Sequence, residues 1–266
     1  FVDAATYYKE NQGLTGIPWP WASLNYATGG INDGDYIVVL GYRKSRKSHV
    51  AVEVAVHTVQ DCGEPVLIIS NEMSFIDMLE RIGCRWSQVS YDGFIHGALS
   101  DDDITKLKNA HEEITHQPNL TIAHIPVTGK LALAKVRSLI EKHKPALVIW
   151  DGHSLSSDSD DWKDVYFMSR RTRALALELG VSIMITAQLN PKKSEASYKA
   201  YHQDCTVSIR IEKDGDWCHC TTPEVRKAEG ASWSMKCDAG FPFLESPYKG
   251  TEDDAKEKVS DEMVEI

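Results

Sequence analysis

Six short apolar runs recur along the chain: YIVVL (36–40), VLIIS (66–70), LTIAHI (120–125), ALVIW (146–150), SIMIT (182–186) and TVSIRI (206–211). They are apolar at consecutive rather than alternate positions, the pattern of strands buried on both faces. Helical periodicity fills the intervals at roughly 48–60, 74–84, 101–115, 131–143 and 161–179. In the last of these, Val165, Met168, Thr172, Leu175 and Leu179 recur at three- and four-residue steps, with Arg170, Arg171 and Arg173 off the stripe. Doubly buried strands alternating with helices predict an α/β domain with a mostly parallel central sheet covered by helices on both faces. From 213 onward Trp217, Trp233 and Phe241 punctuate what reads as a β-rich C-terminal edge.

Composition leaves that picture standing. Of 266 residues, 42% are apolar, 26% charged and 9% aromatic, which excludes disordered and collagen-like classes. No stretch of 18 uninterrupted apolar residues occurs, so no membrane-spanning helix is expected. The opening FVDAATYYKENQG lacks the basic and apolar regions of a secretory signal. The six cysteines (62, 84, 205, 218, 220, 237) follow no disulfide or zinc spacing, and reduced thiols in a cytoplasmic protein are expected. The net charge of −10 argues against a globally basic nucleic-acid surface, so any such contact must come from a local patch concentrated by assembly. Half of that charge sits in residues 251–266, with seven acids and two lysines.

In sheets of this kind ligands sit beyond the carboxyl ends of the strands. YIVVL is followed by Gly41-Tyr42-Arg43-Lys44-Ser45-Arg46-Lys47-Ser48 and then a helix. Strand, loop and helix with this spacing is the frame of a phosphate-binding loop. Its amides cradle phosphate, a lysine reaches the β/γ oxygens, and a hydroxyl holds Mg²⁺. A basic surface turn would account for the same residues taken alone. ALVIW runs into Asp151, suited to Mg²⁺; VLIIS is followed by Asn71-Glu72, suited to polarise water; SIMIT by Ala187-Gln188, suited to sense a γ-phosphate. Singly, each is also explained as a cap, a first-turn acid or a strand terminus.

Taken in order, these segments resemble the RecA-like motor domain of hexameric replicative helicases, the DnaB family and its phage relatives. The resemblance rests on T-G-I-P (15–18), T-G-G (28–30), G-D-Y-I-V-V (34–39), N-E-M-S (71–74), V-I-W-D (148–151), SRRTRALALELGV (169–181), A-Q-L (187–189) and Gln203-Asp204. It implies an ATP-driven DNA helicase motor that forms a homo-oligomeric, hexameric ring and translocates on single-stranded DNA. ATP and Mg²⁺ are implied, with Gly41, Arg43, Lys44, Ser45, Arg46, Lys47 and Ser48 around the nucleotide, and Ser48 and Asp151 on the metal. Glu72 would activate water and Gln188 would sense the γ-phosphate. Arg226 and Lys227, in V-R-K-A-E-G (225–230), would reach the neighbouring subunit's site. There Ala228 stands where the family has an arginine. Lys192, Lys193 and Lys199, interleaved with Tyr198 and Tyr201, suit backbone contact and base stacking on single-stranded DNA.

Three divisions follow: 1–13 as a linker helix or arm, 14–250 as the RecA-like domain, and 251–266 as an acidic, flexible tail for a replication partner. The family's N-terminal domain is not among these residues. Arg46 departs most from the family pattern, since glycine is the usual occupant. A side chain in that backbone conformation costs about 1–3 kcal/mol. Its bulk would crowd the phosphate cradle, or its charge would pair with a phosphate oxygen; the first reading predicts tighter ATP binding by Arg46→Gly. Arg46 and Ala228 keep open a degenerate RecA-like DNA-binding or scaffold ring, and a recombinase- or KaiC-like ATPase is the alternative among enzymes.

Overall fold

The computed structural model describes residues 13–157, 162–189, 201, 203–223, 225, 230–237 and 245–246. Its elements, in chain order, are α1 (Ala22–Thr28), β1 (Tyr36–Gly41), α2 (Lys47–Gln60), β2 (Val66–Ser70), α3 (Phe75–Ser87), α4 (Tyr91–Ile95), α5 (Asp101–Thr115) and β3 (Leu120–Ala123). These are followed by α6 (Gly129–His143), β4 (Leu147–Asp151), a 3₁₀ turn (His153–Ser156), α7 (Trp162–Leu179), β5 (Ser182–Gln188), β6 (Val207–Asp214), β7 (Trp217–Thr221), β8 (Ser232–Lys236) and β9 (Glu245–Ser246). All six sequence-predicted strands form, within a few residues of their expected ends. The short helices α1 and α4 were not expected; at seven and five residues they are too brief to show a helical period.

The strands make one sheet in the order β3-β2-β4-β5-β1-β6-β7-β8-β9. From β3 to β6 every pairing is parallel; β6 through β9 pair antiparallel, the anticipated β-rich edge. Phe241, placed in that edge by sequence, lies outside the described residues. The central strands β2, β4, β5 and β1 feed both cores because successive side chains point to opposite faces. Ile37 and Val39 of β1 face a core that includes Val50 and Val54 of α2, Met78 and Ile82 of α3, and Trp19 and Trp21. Tyr36, Val38 and Leu40 face the opposite core, with Val136 of α6 and Met168 and Leu175 of α7. The stripe read from α7 is thus the buried one, and Arg170 and Arg171 are exposed.

Two helix ends bear on the site. Ser74 caps α3 by accepting from Asp77 N while Asp77 accepts from Ser74 N, so the helix starts after Glu72, which is not a first-turn residue. Arg85 of α3 donates to Glu53 of α2 at 2.6 Å in a buried pair, fixing α3 against the helix that follows the phosphate loop. No helix among the described residues is long and apolar enough to cross a membrane.

Candidate functional site

The strand order puts the carboxyl ends of β2, β4, β5 and β1 side by side. In register, Ser70 lies opposite Asp151 and Gly41 opposite Gln188. Glu72 follows β2 by two residues, so residues separated by more than a hundred positions converge on one edge of the sheet.

The loop between β1 and α2 is shaped by close approach. A Cβ on Gly41 would lie 2.3 Å from Ser45 Oγ and 2.9 Å from Ile211 O, so only glycine fits where the loop folds back on its strand. Lys44 and Arg46 both take left-handed backbone (φ 67° and 70°), and Arg46 is the N-cap of α2. The strain anticipated at position 46 is therefore present, although no glycine relieves it. The Arg46 side chain runs to Asp92 at 3.7 Å and His49 at 3.4 Å. Lys47 Nζ donates to the carbonyls of Gly41 (3.0 Å) and Tyr42 (2.9 Å). Burial pulls the Lys47 ammonium below its ordinary pKa, while the charges of Glu72 and Asp151 oppose the shift.

Asp151 is fully buried. Its Oδ1 accepts from Ser48 Oγ at 3.1 Å and from Thr186 Oγ1 at 2.7 Å. Its Oδ2 is buried without a hydrogen-bond partner. Burial raises its pKa; the charge of Glu72 adds to the rise, and the hydrogen bonds from Thr186 and Ser48 oppose it. A buried carboxylate oxygen left over, beside a serine hydroxyl, is a hard oxygen donor set of the kind Mg²⁺ prefers.

Glu72 is exposed at the rim, seated against Gly152. Gly152 has φ 76°, and a Cβ there would come within 3.0 Å of Glu72 Cβ and N, so this glycine lets the Glu72 segment approach the Asp151 end of β4. Asn71 N donates to Asp151 O at 3.0 Å, a second tie between the two segments.

Of the expected residues, Gly41, Ser45, Lys47, Ser48, Glu72, Asp151 and Gln188 gather at this edge, with Arg43 and Lys44 exposed on the loop. Arg226, Lys227, Lys192, Lys193 and Lys199 lie outside the described residues, as do all but Gly13 of the arm 1–13 and the whole tail 251–266. Sequence reading missed three contributors. Thr186 orients Asp151 and accepts from Gly152 N at 3.0 Å; its signal was one hydroxyl inside an apolar strand. Gly152 had no signal beyond following the aspartate. Arg81 favours the Asp151 carboxylate by its charge, but its place on α3 left it indistinguishable from a solvated helix residue.

The described residues contain no cluster of three or more His, Cys, Asp or Glu side chains that could hold a metal ion. All six cysteines are free, although Cys218 Sγ and Cys237 Sγ lie 3.2 Å apart.

Known proteins share this fold. A solved ATPase domain superposes with a TM-score of 0.77 at 18% identity, covering 93% of this chain and 99% of that one. A DnaB-like replicative helicase studied with primase gives 0.74 at 16% identity, covering 88% and 63%. The replicative DNA helicase DnaB of Geobacillus stearothermophilus is 27% identical over 216 residues, covering 76% of this chain and 46% of its own length. That of Buchnera aphidicola subsp. Schizaphis graminum is 24% identical over 217 residues, covering 79% and 47%. The chain thus spans about half the length of the curated relatives it matches. The family model for the DnaB-like helicase C-terminal domain matches residues 16–230. That match takes in the phosphate loop, Glu72, Asp151 and Gln188, and the chain belongs to the DnaB-like helicase C-terminal domain family.

Proposed function

We propose that this chain is the ATP-hydrolysing motor of a replicative DNA helicase. The observation that carries this reading is the Ser48–Asp151–Thr186 hydrogen-bonded cluster. It leaves one buried Asp151 oxygen over and sits between the Lys47 loop and Glu72. The relatives named above are replicative helicases, which supports the same activity here.

Lys47 would exchange its two carbonyl partners for the β/γ phosphate oxygens, holding charge that grows in the transition state. Ser48 and Asp151 would hold a magnesium ion, which supplies Lewis-acid neutralisation of the phosphate oxygens. Glu72, exposed at the rim, would take the proton of a water as its oxygen attacks the γ-phosphorus and the bond to ADP breaks, giving ADP and inorganic phosphate. Gln188, in register with Gly41, would respond to the γ-phosphate through its amide and pass its presence to the segment that follows β5.

That segment carries Lys192, Lys193 and Lys199, and in this reading contacts single-stranded DNA through the channel of a hexameric ring. Arg226 and Lys227 complete the neighbouring subunit's site, residues 1–13 act as a linker arm, and the acidic tail recruits a replication partner. An unwinding assay on a forked duplex tests the function: strand separation should require ATP and Mg²⁺. Nucleotide binding without unwinding by an assembled ring would favour the scaffold alternative.

A further inference from the structure

Arg46 holds a left-handed backbone (φ 70°, ψ 17°) at the residue before the phosphate-loop lysine, where a side chain is strained. Its guanidinium lies 3.7 Å from Asp92 Oδ2 on α4, the short helix that sequence reading did not anticipate, and 3.4 Å from His49 Nε2. His49 is buried, and Arg81 approaches its Nδ1 at 2.8 Å. His49 is thus approached by two arginines, and the carboxylate of Asp92 is the charge partner that Arg46 meets.

Arg81 is fixed in turn over the Tyr91 ring, 5.0 Å from its centroid, so α4 meets both arginines. Position decides whether Arg46 serves the phosphates directly. The Arg46 guanidinium meets Asp92 and His49, while the side chains of Ser48, Asp151 and Thr186 meet one another.

From this geometry we infer that Arg46 is a positioning residue: its ion pair with Asp92 holds the strained phosphate loop in its nucleotide-competent conformation, doing with a side-chain tether what glycine does by conformational freedom. The nucleotide part of this inference rests on the proposed ATP site.

The tether predicts an order that neither crowding nor direct phosphate contact shares. Arg46→Gly loses the tether but also the strain, so affinity for a non-hydrolysable ATP analogue should stay close to wild type. Arg46→Ala keeps a Cβ at positive φ and loses the tether, so affinity should fall by about two- to fivefold, the worth of a partly exposed ion pair. Asp92→Ala should reproduce that fall in the wild-type background and have no effect in Arg46→Gly, and Asp92→Glu should restore binding. Titration of these variants, with thermal unfolding measured without nucleotide, reads the order twice, since Arg46→Ala should also melt below both wild type and Arg46→Gly. Equal losses in the glycine and alanine variants would mean that Arg46 touches the nucleotide and would overturn the tether. Gains in both would mean that Arg46 obstructs the cradle and would overturn it equally. An Asp92→Ala protein that binds and melts like wild type would also reject it. Failure of the wild-type protein to bind the analogue would remove the ATP site instead, and the melting order would still decide the tether.

Discussion

Ser48 and Asp151, 103 residues apart in the chain, meet at 3.1 Å where the first turn of α2 faces the end of β4. The contact joins the phosphate loop to the strand beside it but one, and Thr186 of the intervening strand holds the same carboxylate oxygen. The second oxygen is buried without a hydrogen-bond partner, which is costly for a carboxylate.

That cost gives Asp151 a pH signature. Its pKa is raised above 3.8, mainly by burial, so the folded chain binds its proton more tightly than the unfolded chain. The associated stability is present at low pH and is lost as pH rises from 3.8 through the folded value. At neutral pH the ionised group is a liability unless a cation partners it. Asp151→Asn should therefore raise the melting temperature at about pH 7.5 while abolishing the stabilisation that Mg²⁺ with nucleotide gives the wild type. Melting curves with and without Mg²⁺ and an ATP analogue check this; equal stabilisation of both proteins would remove Asp151 from the metal site.

Acid should act through His153. Burial pushes its pKa down to about 3, and its Nε2 meets Thr172 Oγ1 at 2.9 Å. Below 6.5 the unfolded chain takes up a proton that the folded chain refuses, so stability falls as pH drops from 6.5 toward about 3. His153→Leu gives up the bond to Thr172, whose hydroxyl keeps its bond to the Met168 carbonyl at 2.9 Å, and should lose about 2 kcal/mol less stability than wild type between about pH 7 and pH 5. Chemical denaturation at the two pH values measures the difference. A parallel loss in both proteins would contradict it.

The Glu53–Arg85 pair ties α2 to α3 in a buried setting. Arg85→Ala leaves an uncompensated carboxylate and should destabilise by about 3–5 kcal/mol, whereas replacing both partners with leucine should recover most of the loss. Urea midpoints of the single and double variants test the pair.

Much of this was legible in the sequence because strands buried on both faces leave unbroken apolar runs, and three of the six runs lead directly to residues that gather at the candidate site: Gly41, Asp151 and Gln188. Glu72 was legible by its place after β2. The pieces that escaped were those whose role exists only across the chain. Thr186 reads as one more strand residue until β5 is set beside β4, and Gly152 reads as a turn until Glu72 packs on it. Arg46 was legible as an anomaly but not in its resolution, since Asp92 is 46 positions away on a helix too short to leave a period.

Steady-state ATP turnover with and without single-stranded DNA, set beside binding of a non-hydrolysable analogue, tests the motor reading most directly. Glu72→Gln should bind the analogue like wild type while turnover falls at least about a hundredfold, because the base is lost and the cradle kept. Lys47→Ala should lose binding itself. Turnover by Glu72→Gln equal to wild type, or undiminished binding by Lys47→Ala, would contradict the motor reading.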